Sequence, residues 1–262
     1  MIKFYKYEGA GNDFIMINNL NGDITLTPEY IASICDRHFG IGADGVILLE
    51  KSDKADCFMN YYNSDGTIAQ MCGNGSRCIA KFFLEQTNSN LKELNIDTRA
   101  GIKNIKINDD DTYSVNMGAP IFKSNDFPSD TLNLEGFDFN CVSMGNPHAV
   151  TVVNKLEDID IKIIGPKVEN DSHFLNKINV EFVEKISDDY FKVVVWERGC
   201  GVTLACGTGA CAVYAILCTR QGRVQKEITL EFPGGKLFLS QNPEGQIILR
   251  GPASFSFKGE IL

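Results

Sequence analysis

The sequence predicts an α+β protein of two pseudo-symmetric lobes, each a mostly antiparallel sheet wrapped around a central helix. Three observations predict it. Short runs rich in β-branched and aromatic residues recur along the chain, separated by Gly, Asn and Asp turns. Two segments, MCGNGSRC at 71–78 and ACGTGAC at 205–211, set a cysteine before a glycine-rich turn that leads into an apolar stretch. Shifting the chain by 134 residues lays Gly11-Asn12 on Gly145-Asn146, Val46 on Val180, Asn63 on Glu197, and Cys72, Gly73 and Gly75 on Cys206, Gly207 and Gly209. Separated landmarks that agree on one offset are the signature of a duplicated half.

In the first half FIMIN reads as a strand, and the segment from Pro28 to about His38 as a helix with Thr27 as its N-cap and proline in its first turn. GVILL and CFMNYY are strands, SRCIAKFFLEQ is helical, and LNIDT is a strand. M-G-A-P at Met117–Pro120 interrupts the pattern and marks the boundary between lobes 1–116 and 117–251. HAVTVV, VEFVEKI, YFKVVVW and ITLEF are the strands of the second half, and ACAVYAILCTRQG is its helix. AVYAIL is apolar all round, so that helix is expected inside its lobe.

Composition narrows the function classes. The 262 residues are 44% hydrophobic and 23% charged, the profile of a globular chain with room for two cores. With 25 basic against 34 acidic side chains the net charge is −9, and no basic run offers a phosphate footprint, so neither nucleic acid nor a membrane surface is an expected partner. MIKFYKYEG lacks an apolar signal core, and the apolar run Ala210–Cys218 is nine residues against the roughly 18 needed to cross a bilayer. The expected location is cytoplasmic.

Nine cysteines require an account. An odd count in a long chain without an export signal argues against a disulfide framework. The Cys72–Cys78 and Cys206–Cys211 spacings are not those of zinc knuckles, so no metal site is expected. Cys35, Cys57, Cys141, Cys211 and Cys218 sit among apolar neighbours and read as small buried hydrophobes; Cys78 and Cys200 are read the same way. Cys72 and Cys206 differ, because each opens a helix. There the backbone N–H groups and the positive end of the dipole favour an anion, which lowers a thiol pKa and also suits a carboxylate. A helix-terminal cysteine in each half suggests a site between the halves with a thiol on either side of a carbon. One would remove a proton as the other delivers one, which inverts a stereocentre.

GAGNDF, RHFGIGADG, FMNYYNSDGTIAQMCGNGSRC, SMGNPHAV, KINVEFV and VWERGCGVTLACGTGACA, in this order and over essentially the whole chain, resemble the diaminopimelate epimerase family. That resemblance implies a pyridoxal-independent homodimeric isomerase of two pseudo-symmetric lobes. It would interconvert LL- and meso-2,6-diaminopimelate on the bacterial route to lysine and peptidoglycan, with no cofactor. By resemblance Cys72 and Cys206 are the acid/base pair, and Gly73-Asn74 and Gly207-Thr208 bind the α-carboxylate. His148 and Glu197 tune the cysteines and orient the reacting amino group, and Asn12, Asn63, Asn146, Asn179 and Arg198 recognise the rest of the substrate. The family also returns its last strand to the first lobe, which here would be Pro252–Leu262.

Each assignment has a structural rival. Arg198 could pair with a surface acid rather than a substrate carboxylate. His148 could be a satisfied loop histidine, and Asn12 and Asn146 could simply make turns. His38 precedes GIGADG, which lacks the G-x-G-x-x-G spacing of a dinucleotide site and is read as a turn. Two positions depart from the family pattern: Gly45 where glutamine is common, removing an amide, and Val202 where glutamate is common, removing a carboxylate near the second cysteine. The alternative function is a related cofactor-independent racemase of proline, hydroxyproline or histidine, which would not need Asn63, Asn179 and Arg198. A regulatory Cys72–Cys206 disulfide and a phenazine-type isomerase are further alternatives, the latter not requiring paired cysteines.

Overall fold

The computed structural model describes residues 1–220, 222–223 and 227–261. Gln221, within the segment expected to be helical after the second cysteine, and Leu262, the end of the expected returning strand, lie outside the described residues. The chain forms two compact units, residues 1–115 with 251–262 and residues 116–250.

The first unit runs β1 (Ile2–Gly9), β2 (Asn12–Asn18), α1 (Pro28–Cys35), β3 (Gly45–Glu50), β4 (Cys57–Asn63), α2 (Gly73–Thr87), β5 (Glu93–Asp97), β6 (Lys103–Ile107) and β7 (Thr112–Gly118). The second runs β8 (Thr131–Leu134), β9 (Phe137–Ser143), β10 (Pro147–Val153), α3 (Ile161–Glu169), β11 (Asn179–Lys185), β12 (Tyr190–Glu197), β13 (Gly201–Thr203), α4 (Gly207–Tyr214), β14 (Ile228–Phe232), β15 (Gly235–Gln241) and β16 (Ile247–Pro252). A last strand, β17 (Ser254–Ile261), pairs antiparallel with β1 from Ile2↔Ile261 to Glu8↔Ser254, so the chain's end completes the first sheet.

Most pairings in each unit are antiparallel. The exceptions are β2–β3 and β4–β5 in the first unit and β10–β11 and β12–β14 in the second. Each of those parallel pairs spans a crossover that carries a helix, α1, α2, α3 and α4 in turn, because parallel neighbours cannot be joined by a hairpin. The two units therefore share one order of elements, an α+β architecture. β3 and β11 begin 134 residues apart, as do α2 and α4.

Central strands are buried on both faces. In the first unit Ile15, Ile17, Val46 and Leu48 pack with Ile31 and Ile34 of α1, while Ile47 and Met59 meet the start of α2. In the second, Phe139, Phe174, Phe182 and Val168 of α3 form the corresponding cluster. α2 buries Cys78, Ile79, Phe82 and Phe83. In α4, Ala210 to Tyr214 are all buried, as its all-round apolarity predicts. Beyond Tyr214 the backbone widens into a single π-helical turn over Ala215–Thr219. No helix among the described residues is long and apolar enough to cross a membrane.

Two expectations are corrected. The first helix ends at Cys35 rather than near His38. Asp36 takes an extended conformation (φ −61°, ψ 127°), and its carboxylate accepts from the backbone N–H of His38 and Phe39, which draws the chain into a turn. Cys200 is exposed rather than buried, because it lies in the turn joining β12 to β13.

Candidate active site

In the first unit the chain enters α2 through Cys72, whose extended backbone (φ −139°, ψ 123°) makes it the N-cap; its Sγ accepts the Gly75 N–H at 3.4 Å. A cysteine can cap here because Gly75 permits close packing: a Cβ on it would lie 2.8 Å from Met59 Cε and 2.9 Å from Ile47 Cδ1. The half-buried Cys72 thiol also donates to Asn12 Oδ1 at 3.4 Å, and Asn74 Nδ2 donates to the same oxygen at 3.4 Å. The Asn12 amide is turned this way by Asp44, whose Oδ2 accepts from Asn12 Nδ2 at 2.6 Å. Asp44 is held in turn by Arg37 at 2.7 Å, which also reaches Asp13 at 2.6 Å. Lys6 meets Asp13 from the strand side at 2.7 Å.

In the second unit Cys206 is the N-cap of α4 (φ −120°, ψ 118°), with its Sγ accepting the Gly209 N–H at 3.4 Å and lying 3.4 Å from Thr208 Oγ1. Neither α2 nor α4 carries an acidic side chain in its first turn, so each N-terminus can meet an external anion. Around Cys206 the surroundings are charged. His148 places Nδ1 2.7 Å from Glu181 Oε1 and Nε2 3.2 Å from Asn146 Oδ1, while Asn146 Nδ2 donates to Thr208 Oγ1 at 3.3 Å. Glu197 accepts from the Thr203 hydroxyl, and its charge is felt at the Cys206 thiol.

These surroundings set the proton affinities. Burial, then the negative charges of Glu197 and Glu181, push the Cys206 thiol well above its ordinary value, against the opposing hydrogen bonds from Thr208 and the Gly209 N–H. Burial likewise raises Glu197, with the bonds from Thr203 and Cys206 and the charge of His148 acting the other way. The packing cysteines Cys35, Cys57 and Cys141 are pushed up to about 12, chiefly by burial.

The structure gathers Asn12, Cys72, Gly73 and Asn74 in one unit, and Asn146, His148, Glu197, Cys206, Gly207 and Thr208 in the other. Three expected substrate contacts are engaged locally. Asn63 Nδ2 donates to Thr67 Oγ1 at 3.0 Å. Buried Asn179 donates to the Pro147 carbonyl at 2.8 Å and accepts the Arg198 N–H at 3.0 Å, tying β10 to the end of β12. The Arg198 guanidinium donates to the Asn176 carbonyl at 2.9 Å and pairs with no acid among the described residues.

Gly45 has a packing reason, since a Cβ there would collide with the Tyr62 carbonyl oxygen and lie 2.7 Å from the Tyr61 ring. Val202 is half-exposed on β13. Sequence reasoning passed over Asp44, Thr203 and Glu181. A signal for Glu181 existed, an acid inside the apolar run of β11. Among the described residues no group of three His, Cys, Asp or Glu side chains is placed to hold a metal ion.

Comparison with known proteins gives the family. The family model described as diaminopimelate epimerase matches residues 4–123 and 140–256. A diaminopimelate epimerase of Carboxydothermus hydrogenoformans is 41% identical, with 99% of each chain covered. One of Picosynechococcus sp. is 42% identical, covering 100% of this chain and 99% of its own. Among solved structures, a phenazine biosynthesis protein of the PhzF family from Bacillus anthracis superposes with a TM-score of 0.73 at 20% identity, covering 100% of this chain and 99% of its own. A hydroxyproline epimerase from Agrobacterium vitis gives 0.69 at 16%, covering 98% and 91%. Those two share the fold alone. Matched across both of its units and about 40% identical to its relatives from end to end, the chain belongs to the diaminopimelate epimerase family.

Proposed function

We propose that this chain interconverts LL- and meso-2,6-diaminopimelate without pyridoxal phosphate, with Cys72 and Cys206 as the two proton-transfer groups. Family membership supports the substrate. The observation that carries the chemistry is that each unit opens a helix on a cysteine whose sulfur accepts the third amide of that helix. One cysteine, as thiolate, takes the α-proton: the C–H bond breaks, an S–H bond forms, and the electron pair spreads into the α-carboxylate. The other, as thiol, returns a proton to the opposite face and becomes the thiolate.

The carboxylate gains charge in this step, so donors aimed at it stabilise the transition state more than the substrate. The amides of Gly73-Asn74 and Gly207-Thr208, at the first two positions of α2 and α4, are the proposed donors. His148 and Glu197 orient the reacting amino group, and Asn63, Asn179 and Arg198 hold the distal end. Burial and two carboxylates favour the neutral form of Cys206 in the free protein. The working enzyme is read as a cytoplasmic homodimer serving lysine and peptidoglycan precursor synthesis.

The test is incubation of the reduced, chelator-treated protein with LL-diaminopimelate in deuterated water, without pyridoxal phosphate. Meso product with deuterium at one centre is expected. Cys72→Ala and Cys206→Ala should each abolish conversion while leaving the circular dichroism and thermal transition in place, and near-normal turnover in either would overturn the two-thiol assignment. Turnover of proline or hydroxyproline with none of diaminopimelate would move the chain to the racemase alternative.

A further inference from the structure

Applied to the site, the 134-residue repeat exposes an asymmetry. Asn12 and Asn146 correspond, as do Cys72 and Cys206. The positions corresponding to His148 and Glu181, however, are Phe14 and Ile47, and all four side chains are fully buried. Packing beneath α2 is thus satisfied by two hydrocarbons, whereas the same place beneath α4 holds an imidazole and a carboxylate.

That substitution is costly. A buried carboxylate loses its hydration and recovers it only through close partners. Glu181 Oε1 has His148, but its buried Oε2 has no hydrogen-bond partner among the described residues. The carboxylate also lies directly under the helix end: a Cβ on Gly209 would stand 2.6 Å from Oε1.

Asn146 turns its NH2 to Thr208 Oγ1 and its oxygen to His148 Nε2, so Nε2 carries a hydrogen. Nδ1 and Oε1 stand 2.7 Å apart, a separation that two bare lone pairs would not hold, so a proton lies between them. Thr208 Oγ1 accepts from Asn146, and its own hydroxyl hydrogen can be turned to Cys206 Sγ, 3.4 Å away, whenever that sulfur is the acceptor.

We propose that Glu181 is a positioning residue for the Cys206 half of the reaction: by sharing a proton with His148 it keeps that ring an Nε2–H donor, which locks the Asn146 amide and leaves the Thr208 hydroxyl free to turn to the sulfur. When Cys206 gives up its proton, the new thiolate is met by the Thr208 hydroxyl and the Gly209 N–H. At Cys72 the corresponding amide presents its oxygen to the sulfur instead, and so accepts from a thiol. The two chemically identical cysteines are made unlike by what lies under their helices. This rests on Cys206 being a reacting thiol.

The test uses two variants of the full chain. Glu181→Gln keeps shape and removes the charge. The double variant His148→Phe/Glu181→Ile installs the pair found under α2, and because apolar replacement of a buried ion pair is often neutral or stabilising, it is expected to fold. Only three histidines are present, so ring N–H resonances are readily assigned with 15N-histidine. The wild type should show a strongly deshielded, slowly exchanging N–H from His148, lost in Glu181→Gln. That variant's kcat should fall by about 10- to 100-fold, part of what a positioned proton-transfer group supplies, with KM within about twofold. The double variant should match the wild type in thermal stability and show at least the same loss.

Wild-type kcat in Glu181→Gln or in the double variant overturns the proposal. So does retention of the deshielded resonance in Glu181→Gln with activity falling only in step with stability. Failure of the underlying reading is separately visible, since an active Cys206→Ala enzyme refutes the thiol assignment while the resonance still reports whether Glu181 holds His148.

Discussion

At Gly209 the space for a side chain is taken by a carboxylate oxygen, and at Gly75 by the mobile ends of Met59 and Ile47. That difference orders two otherwise similar substitutions. Gly209→Ala must displace Glu181 from His148 and should cost about 1–3 kcal/mol, the usual range for overpacking, with a loss of turnover. Gly75→Ala can be absorbed by rotation of flexible side chains and should cost less. Urea denaturation of both variants checks the order. Asp13 supplies a pH-dependent case. Burial alone would raise its carboxyl, but the hydrogen bonds and charges of Arg37 and Lys6 outweigh it and hold the group below its usual range. A depressed folded-state value contributes stability above the unfolded value of about 3.9 and loses it as pH falls through the folded one. Asp13→Asn should therefore flatten the decline in melting temperature below about pH 4 relative to wild type. Both cysteines and Glu197 could be named as candidates from motif and repeat, and His148 from the family resemblance alone. Glu181 and Asp44 could not, because a lone acid in a strand or loop declares its partner only when the strands are paired.

Among the elements, the turn after β12 shows how the scaffold supplies the site. Glu169, at the end of α3, accepts the Trp196 indole N–H at 2.6 Å and the Gly199 N–H at 3.0 Å, clasping the Trp-Glu-Arg-Gly turn that carries Glu197 and Arg198. Trp196 in turn packs so closely on α3 that a Cβ at Gly165 would lie 2.7 Å from its ring. Glu169→Ala leaves two N–H groups without their acceptor and should destabilise by about 1–3 kcal/mol, with a raised KM for diaminopimelate as the turn loosens. Unfolding titrations and steady-state kinetics on one preparation would show both. Element type was readable from periodicity, and the starts of α1, α2 and α4 from their capping residues. The end of α1 was not, because apolar spacing continues toward Phe39 while the Asp36 carboxylate diverts the backbone at Cys35.

For the molecule as a whole, the return of the chain's end to its beginning matters most. β17 pairs with β1 along its length, Phe257 and Phe255 meet Phe4 and Tyr7 edge-on, and the buried Arg77 donates to the Pro252 carbonyl at 3.0 Å. Deleting residues 251–262 should expose β1 as an edge and strip hydrogen-exchange protection from β1 and α2, while residues 116–250, which have a core of their own, keep theirs. Equal loss in both units would show that they unfold as one. By itself the sequence determined the duplicated α+β architecture, the two helix-opening cysteines and the family, because hydrophobic period, glycine turns and a fixed offset are local or one-dimensional properties. Only the tertiary structure decided that the two cysteines are unlike. A buried carboxylate and imidazole under one helix and two hydrocarbons under the other are a matter of which side chains strand pairing brings together, and of how burial changes a proton's affinity once they meet.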